Sequence, residues 1–515
     1  MILITSAKYC PPEFLIEFGK LPPSFLPLGA KRLYEYQVAL FKDFKEDIFL
    51  SLPKSFEPSR ADKLKLKNLG VKTLFVDEGL SLGQSIIHCL NMSLPINESL
   101  KILHGDTLIS NLGKNPNSLG VTRVLNNYHW SFLKKDKRLC YKLKDVDYKE
   151  LDSLILNGFF NIEKPYEFMR ALSLANYDFL EGLNAYSATN AFELSFDEFW
   201  LDFGLVSSYF QSKKAITSQR AFNALKIEEN WVEKSSNLKD KIEAEIAWFE
   251  AFPKELSFYV PKFQKKDEKS YKSEYLYLNT LSELFVFGNL PTLVWEQIFK
   301  SIKAFLEKLH SHKTKQKINF SYKQKSLERL ELFARQSGFD LDKSLKFKEK
   351  GEIYTLPSLR QILNELDSFL SENLEPCFIH GDFCFSNLMF DFRSNELKCF
   401  DPRGLDFIGK ITPFGDKNYD YAKLAHSVLG GYDFIISGFY ELSKTKEVLS
   451  LSFEENENLK AIQAKFKELF KPSKEIFAIQ IHLFLSMLPL HSDNKERQFA
   501  LLANALRLFK ELVCL

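Results

Sequence analysis

The chain of 515 residues lacks three features that each point to a class of protein. It has no excess of one charge, since 69 Lys and Arg residues stand against 67 Asp and Glu residues. A basic surface for nucleic acid is therefore not expected. Its seven cysteines are odd in number and include no Cys-x-x-Cys pair, which argues against a disulfide framework and against a zinc site. No apolar run reaches the roughly 18 residues of a membrane span.

These absences predict a protein of the reducing cytoplasm, with no membrane insertion and no nucleic-acid partner. The first residues also lack the basic segment and cleavage site of a secretory signal, so none is expected. What is present is an ordinary globular composition, with 45% hydrophobic and 26% charged residues. A length of 515 residues exceeds the roughly 250 to 300 residues that one core supports. The sequence therefore predicts at least two domains.

Short apolar segments alternate with helical patterns in the first part of the chain. This alternation is typical of an α/β domain with a parallel sheet, which we place at residues 1–225. The predicted strands are Ile2–Ile4, 47–51, 72–76 and 101–104, and the predicted helices between them are 33–42 and 82–91.

The pattern changes near residue 225, where a second domain, 226–515, is predicted to begin. Trp231–Ser235 is a predicted strand that leads into a strongly periodic helix, Lys239–Phe252, which ends at Pro253. Tyr275–Leu278 is predicted to be a further short strand. From residue 291 the patterns are mainly helical, and helices are expected from residue 420 to the end. The domain is thus predicted to be α+β and bilobal, with a small lobe at about 226–290 and a helical lobe at about 291–515.

The most informative motif lies in the predicted helical lobe. His380-Gly-Asp382 is followed five residues after the aspartate by Asn387, and the next apolar strand ends in Asp401. This order is that of the catalytic loop and the metal-binding aspartate of protein-kinase-like enzymes. Asp382 is predicted to orient an acceptor hydroxyl and to accept its proton. Asn387 and Asp401 are predicted to hold Mg²⁺, because hard cations prefer oxygen ligands.

Two residues upstream complete this pattern. Lys234 closes the predicted strand, and Glu245 follows eleven residues later on the next helix, the spacing at which a Lys–Glu pair positions nucleotide phosphates. Each residue alone has a simpler interpretation, as a solvated lysine at a strand end or an exposed helix position. Their order together with the downstream motif favours a kinase that uses ATP and Mg²⁺.

The motif resembles that of the aminoglycoside phosphotransferase and choline kinase superfamily, over about residues 228–515. The resemblance implies a protein-kinase-like fold and a small-molecule acceptor such as a sugar, an amino alcohol or a polyol. No Ala-Pro-Glu segment follows Asp401, which agrees with an acceptor that is not a protein. Arg403 has two open interpretations, namely binding to an anionic group of the substrate or pairing with Asp406.

Three segments of the first domain resemble sugar-phosphate nucleotidyltransferases. They are Leu21–Gln37, which is similar to a signature segment, and Ile102–Thr107 and Phe199–Gly204, which are similar to strands that carry metal-binding aspartates. The resemblance implies a Rossmann-like nucleotidyltransferase fold in which Asp106 and Asp202 hold Mg²⁺. It also places Gly83 in the loop that recognises the base, with CTP as one candidate for the second nucleotide.

The first domain departs from this family in two places. The glycine-rich loop that cradles phosphates is replaced by Thr5–Glu13, which contains no glycine, and the expected lysine is replaced by Pro23. The cation that the family requires would then be Lys31, with Lys20 and Arg32 as alternatives, or the domain has no such cation.

Three functions remain open from the sequence. The first is a bifunctional kinase and nucleotidyltransferase for bacterial capsule or other surface-glycan biosynthesis. The second is a small-molecule kinase with a catalytically inactive, nucleotidyltransferase-like binding domain. The third is a non-catalytic assembly protein, against which the complete set of Asp382, Asn387 and Asp401 argues.

Overall fold

A computed structural model of the chain divides into two compact units, 1–216 and 217–515. It describes all residues except 97–98, 114, 124–129, 134–137, 141–153, 217–222, 229, 237–238, 372–373, 446–447, 455 and 515. Because 217–222 are not described, the boundary predicted at residue 225 stays a prediction. In the described part of the chain, no helix is both long and apolar enough to span a bilayer.

The first unit is an α/β structure. Its strands are β1 (Ile2–Thr5), β2 (Pro27–Leu28), β3 (Lys31–Arg32), β4 (Ile48–Pro53), β5 (Val71–Val76), β6 (Leu100–His104), β7 (Thr107–Leu108), β8 (Ser118–Arg123), β9 (Phe132–Leu133), β10 (Leu139–Cys140), β11 (Leu154–Ile162), β12 (Glu193–Phe196) and β13 (Leu201–Asp202). Its helices are α1 (Glu13–Phe18), α2 (Leu33–Leu40), α3 (Arg60–Asn68), α4 (Leu82–Met92), α5 (Pro165–Leu174), α6 (Phe179–Ser187) and α7 (Val206–Ala215).

The main sheet of this unit is centred on β1. Strand β1 runs parallel to both β4 and β6, and β5 extends the parallel part beside β4. Strand β11 then pairs antiparallel with β6 and β8. Ile2, Leu3 and Ile4 are completely buried, as expected for a central strand that is covered on both faces. The predicted α/β class is confirmed. The antiparallel strands β8 and β11 were not indicated by the alternation of strands and helices in the sequence.

The second unit contains both strands and helices. Its strands are β14 (Asn223–Glu228), β15 (Trp231–Ser236), β16 (Phe263–Lys265), β17 (Ser270–Glu274), β18 (Leu345–Glu349), β19 (Glu352–Leu356), β20 (Cys377–Phe378), β21 (Leu388–Asp391), β22 (Glu396–Cys399), β23 (Phe414–Gly415), β24 (Glu441–Lys444) and β25 (Val448–Ser452). Its helices are α8 (Lys239–Ala251), α9 (Leu281–Phe287), α10 (Thr292–His310), α11 (Tyr322–Ser337), α12 (Leu359–Asp367), α13 (Lys417–Val428), α14 (Tyr432–Ser437), α15 (Glu457–Phe470), α16 (Lys474–Met487) and α17 (Lys495–Cys514).

The small lobe of this unit is an antiparallel sheet in the order β14-β15-β17-β16. Ile242 and Ile246 of α8 form an apolar cluster with Tyr271 of β17, so the helix packs on this sheet. The arrangement confirms the predicted mixed lobe. The prediction of a strand at Tyr275–Leu278 is wrong, because β17 ends at Glu274 and the chain then runs without regular structure to Thr280.

The helical lobe confirms the predicted α+β class and corrects one of its details. Helices α10, α11, α13, α16 and α17 supply most of its buried apolar side chains. The region after residue 420, which we predicted to be helical throughout, also contains β24 and β25. These strands join β18 and β19 in a four-stranded sheet. Lys444 of β24 lies opposite Leu449 of β25 in an antiparallel pair. The apolar pattern of each strand is too short to distinguish it from the helices around it.

Candidate active sites

The catalytic loop predicted in the second unit is shaped by a glycine and anchored by a buried aspartate. Gly381 has φ +75°, in the left-handed region, and a Cβ there would lie 2.8 Å from the Cβ of Arg403. The backbone N–H groups of His380 and Gly381 donate to the carboxylate of Asp420 at 2.9 and 2.8 Å. These contacts fix the turn that presents Asp382.

The carboxylate of Asp382 is held by two side chains. Its Oδ1 lies 2.7 Å from Nζ of Lys423, and its Oδ2 accepts a hydrogen bond of 3.0 Å from Nδ2 of Asn387. Burial alone would raise the pKa of Asp382, but the charge and hydrogen bond of Lys423 hold it well below its usual range. The side chain is nevertheless 40% exposed. Asp382 therefore presents an ionised and solvent-accessible carboxylate, and its predicted role as a proton acceptor stays a prediction.

A second cluster joins the small lobe to the end of the apolar strand. Nζ of Lys234 lies 2.7 Å from Oε2 of Glu245 and 2.8 Å from Oδ1 of Asp401. Tyr271 also donates a 2.8 Å hydrogen bond to Glu245. Burial raises the pKa of Glu245, and the Lys234 ammonium opposes that rise. The three predicted residues are thus in direct contact, although they are separated by up to 167 positions in the chain.

The two predicted metal ligands of this unit are tied together through the backbone. The N–H of Phe400, which precedes Asp401, donates to the carbonyl oxygen of Asn387 at 3.1 Å. Within the described residues there is no group of three or more His, Cys, Asp or Glu side chains arranged to hold a metal ion. An amide oxygen and one carboxylate still suit Mg²⁺, which usually takes one or two protein ligands and completes its shell with phosphate oxygens and water. The donor set therefore fits a nucleotide-bound Mg²⁺.

Three residues of this site were not among the predicted ones. They are Asp420, Lys423 and His310, whose Nε2 lies 3.1 Å from Oδ2 of Asp420. Asp420 and Lys423 share the first turns of α13, and the motif Asp-x-x-Lys at a helix start was the available sequence signal. His310 ends α10, 110 residues away, and no local pattern could have indicated its contact.

The structure also decides between the two interpretations of Arg403 in part. Its Nε donates to the carbonyl oxygen of Leu405 at 2.9 Å, and its Nη1 donates to Oη of Tyr419 at 3.4 Å. The carboxylate of Asp406 instead accepts from the backbone N–H groups of Ile408 and Lys410. Arg403 is therefore not paired with Asp406.

In the first unit, the two predicted metal-binding aspartates converge. Asp106 follows β6, and Asp202 ends β13, which pairs antiparallel with β7. A Cβ placed on Gly204 would lie 2.9 Å from Oδ2 of Asp106 and 3.2 Å from Oδ1 of Asp202. Burial and the neighbouring charge of Asp106 raise the pKa of Asp202 to about 7. The two carboxylates thus share one small, partly buried space beside a glycine.

This pair fits a divalent cation. No Lys or Arg within the described residues forms an ion pair with Asp106 or Asp202, and Ser208 is the side chain that donates to Asp202. The mutual repulsion of the carboxylates is therefore left without a compensating positive charge, which Mg²⁺ would supply through the oxygen ligands it prefers.

The loop after β1 retains backbone donors although it has no glycine. Ser6 and Cys10 donate their N–H groups to Ser51 Oγ and to the carbonyl of Leu21. For Ala7–Tyr9, by contrast, no backbone N–H finds an acceptor within the described part of the chain. Because β1 and β6 are parallel neighbours, this loop leaves the same edge of the sheet as Asp106.

The three candidate cations of the first unit differ in their surroundings. Arg32 is buried and its Nη2 forms a 3.0 Å ion pair with Asp62, so its charge is already neutralised. Lys31 is exposed, with Nζ 5.6 Å from the ring centroid of Tyr36, and Lys20 lies 4.0 Å over the ring of Tyr9. The predicted role of Lys31 stays a prediction.

Gly83 lies where two backbone segments pack closely together. It lies in the first turn of α4, and a Cβ there would come within 2.3 Å of the carbonyl oxygen of Tyr177. A glycine is therefore required for the close approach of these two backbones. Its predicted place in base recognition stays a prediction.

Comparison with known proteins bears on both units. Residues 228–400 match the model of a phosphotransferase enzyme family. The gentamicin complex of APH(2'')-IIa is a similar solved structure, at 15% identity over 58% of this chain and 95% of that one, with a TM-score of 0.35. A choline/ethanolamine kinase family protein from Mesorhizobium loti is another similar structure. It has 12% identity over 60% of this chain and 94% of that one, with a TM-score of 0.34.

A third similar structure covers a smaller share of the chain. It is the nucleoside-diphosphate-sugar pyrophosphorylase from Vibrio cholerae RC9, at 14% identity over 42% of this chain and 100% of that one, with a TM-score of 0.34. No curated protein matches the chain. The kinds of protein found are the two that the sequence motifs resembled.

The family match and the contacts of Asp382, Lys234 and Asp401 identify the second unit as a kinase-like phosphotransferase domain. The prediction that the chain is an enzyme of the phosphotransferase kind is confirmed.

Proposed function

We propose that the protein is a bifunctional enzyme that activates a small hydroxylated metabolite in two steps. The second unit would transfer the γ-phosphoryl group of ATP to a hydroxyl of a sugar, amino alcohol or polyol. The first unit would then join the phosphorylated product to a nucleotide, with release of pyrophosphate. The observation that carries the proposal is the convergence of Asp382, Asn387 and Lys423 in one unit and of Asp106 and Asp202 in the other.

The geometry of the second unit supports the first step. Asp382 is ionised and accessible, so it can accept a hydrogen bond from the acceptor hydroxyl and take its proton as the bond to phosphorus forms. Lys234, held by Glu245, would neutralise phosphate oxygens of ATP. Asn387 and Asp401 would hold Mg²⁺, which supplies charge neutralisation at the transferred group.

The first unit supports the second step through charge and backbone donors. Asp106 and Asp202 would hold the Mg²⁺ that a nucleoside triphosphate brings, and the free N–H groups of Ala7–Tyr9 would donate to its phosphate oxygens. Backbone N–H groups can cradle phosphates without glycine where the local conformation already exposes them. CTP is the nucleotide that we propose to test first.

The order of the two activities is chemically consistent. A nucleotidyltransferase of this kind consumes a phosphorylated small molecule, which is the product of the kinase step. We therefore propose a cytoplasmic role in preparing an activated precursor for bacterial capsule or another surface glycan. The alternative, in which the first unit binds its ligand without turnover, is favoured by the missing glycine-rich loop at Thr5–Glu13.

The kinase step is tested by incubating the full chain with ATP, Mg²⁺ and a panel of sugars, amino alcohols and polyols, followed by mass spectrometry. At least one acceptor should gain one phosphoryl group, and Asp382→Asn should lower kcat by about 100-fold to 10,000-fold, the range that a positioned general base supplies. Asp391→Asn, in the β21–β22 hairpin, is the matched control and should leave kcat unchanged. Full activity of Asp382→Asn would contradict the assigned role.

The nucleotidyl step is tested with the phosphorylated product and each of the four nucleoside triphosphates, by measuring pyrophosphate. Release should depend on Mg²⁺ and should be abolished in Asp106→Ala, while the kinase step of the same variant is retained. Absence of pyrophosphate with every nucleotide, from a protein whose kinase is active, would reject the bifunctional enzyme in favour of the alternative.

A further inference from the structure

One face of helix α11 carries Lys325, which lies against the aromatic residues beside the catalytic loop, and Arg329, whose charge acts on Lys325. Lys325 and Arg329 are four positions apart, so they lie on the same side of the helix. Nζ of Lys325 lies 3.8 Å from the ring centroid of Phe407 and 5.7 Å from that of Tyr419. Arg403 reaches the same aromatic ring of Phe407 from the other chain segment, at 5.2 Å.

These cations are close to the catalytic carboxylate. Tyr419 accepts a hydrogen bond from Arg403, and Nζ of Lys423 is 6.0 Å from the Tyr419 ring centroid. Lys423 in turn contacts Asp382 at 2.7 Å. The Cβ of Arg403 would also lie 2.8 Å from a Cβ at position 381, directly before Asp382. A small molecule whose hydroxyl meets Asp382 would therefore reach this basic group, which consists of Lys325, Arg329 and Arg403.

The basic group lacks matching negative charge. Asp382 is already paired with Lys423. In the described part of the chain, neither Lys325 nor Arg329 has a carboxylate within ion-pair distance, and Arg403 donates only to Leu405 and Tyr419. Neighbouring helix residues differ in this respect, since Lys323 pairs with Asp367 at 3.2 Å.

Partial burial makes this imbalance costly. Burial lowers the pKa of Lys325 well below its usual value, the charges of Arg403, Lys423 and Arg329 lower it further, and the charge of Asp382 opposes this only in part. The face of Phe407 offsets part of the cost by a cation–π contact. Buried charges are normally paired, so a cluster of like charges beside a catalytic centre indicates that the compensating charge arrives with a ligand.

We infer that the acceptor substrate carries an anionic oxygen group, a carboxylate or a phosphate, which binds Lys325, Arg329 and Arg403 while its reacting hydroxyl lies at Asp382. The inference rests on the proposed kinase function, because it names the class of acceptor for that site. Guanidinium groups bind carboxylates and phosphates through paired hydrogen bonds, and a lysine adds a point charge. A cationic acceptor such as a free amino alcohol would meet repulsion from the same three side chains.

The inference is tested with acceptors that are matched in shape and differ in charge. Glucuronate and galacturonate are compared with glucose and galactose, and glycerol 3-phosphate and gluconate with glycerol and glucitol. Each is assayed for phosphorylation by the full chain with ATP and Mg²⁺, and for binding by isothermal titration in the presence of a non-hydrolysable ATP analogue. The acid of at least one pair should have a kcat/KM at least tenfold above that of its neutral partner.

Variants then connect the preference to the basic group. Lys325→Met and Arg329→Met keep the length of the side chain and remove its charge, so each should lower kcat/KM for the acid at least tenfold more than for the neutral partner. Most of that change should appear in KM for the acceptor, while KM for ATP stays within twofold. Lys323→Met is the control on the same helix and should change neither value. Circular dichroism and thermal unfolding establish that each variant is folded.

The outcomes separate this inference from the proposed function. A preference for neutral or cationic acceptors would overturn the inference of an anionic acceptor and leave the kinase function in place. An equal loss of kcat/KM for the acid and its neutral partner in the variants would do the same. A rise in KM for ATP alone would assign the basic group to the nucleotide and also overturn the inference. Binding of an acid that Lys325→Met abolishes, without phosphorylation of any acceptor, would support the anion site and count against the kinase assignment. If no acid is bound or phosphorylated, the inference is wrong.

Discussion

Replacing Lys234 by methionine would leave a buried carboxylate in the small lobe without its ammonium partner. Glu245 is only 1% exposed, and Lys234 lies 2.7 Å from it and 2.8 Å from Asp401. Removing one partner of a buried pair costs about 3–5 kcal/mol, since the remaining charge is left uncompensated. Methionine preserves the length of the side chain, so little of the loss comes from a cavity. Because Asp401 is partly exposed to solvent, we expect the lower end, about 3 kcal/mol.

Hydrogen exchange measured by mass spectrometry gives this value for the lobe itself. A loss of about 3 kcal/mol corresponds to roughly 150-fold faster exchange in peptides from α8 and β15, where exchange proceeds through unfolding of the lobe. Lys241→Met is a matched control, since Lys241 lies 3.9 Å from the other oxygen of Glu245 but is 43% exposed. Because the Lys241 ammonium is exposed to solvent and its contact is long, we expect this pair to contribute at most about 1 kcal/mol.

The pH dependence supplies a second check on the same variant. Burial raises the pKa of Glu245 above its ordinary value, and loss of the ammonium would raise it further. The loss of unfolding free energy in Lys234→Met should therefore become smaller as the pH falls and Glu245 takes up a proton. It should become larger as the pH rises. If Lys234→Met costs no more than Lys241→Met at any pH, the buried pair does not have the energetic role that its geometry indicates.

Three further predictions concern the two sites. In Lys423→Met, loss of the charge that lowers the pKa of Asp382 should move the acidic limb of the kcat profile to higher pH, and an unmoved limb would contradict the pairing. In metal-free protein, the pKa of Asp202 is raised to about 7, so the folded first unit keeps a proton that the unfolded chain loses near pH 4. The melting temperature of the first unit should therefore fall as the pH rises from about 4 to 7, and Asp202→Asn should remove that fall. Gly204→Ala should weaken Mg²⁺ binding about tenfold, which corresponds to about 1.4 kcal/mol, because the added Cβ would lie 2.9 Å from Oδ2 of Asp106. Unchanged Mg²⁺ affinity in a calorimetric titration would show that the two carboxylates do not share one ion.

Local patterns in the sequence predicted much of the fold. The strands near β1, β4, β5 and β6 and the long helices were predictable because their periodicity of apolar residues is a property of neighbouring positions. The strands β24 and β25 were missed for the same reason, since four or five residues between helices give too short a pattern. The five-residue interval from Asp382 to Asn387 was informative because it spans one turn of chain and its hydrogen bond of 3.0 Å is local.

The sequence by itself determined the main strands around β1, the long helices, the fold classes of the two domains and the residues that we propose for phosphoryl transfer. Only the tertiary structure decided which distant residues support them: His310 on Asp420, Lys423 on Asp382, and Lys325 beside Phe407. The physical reason is that these contacts join helices and loops whose relative position is set by packing of the whole core, which no local period encodes. The unmatched charge at Lys325 follows from the same packing, because a lysine in a sequence is neither paired nor unpaired until its neighbours in space are known.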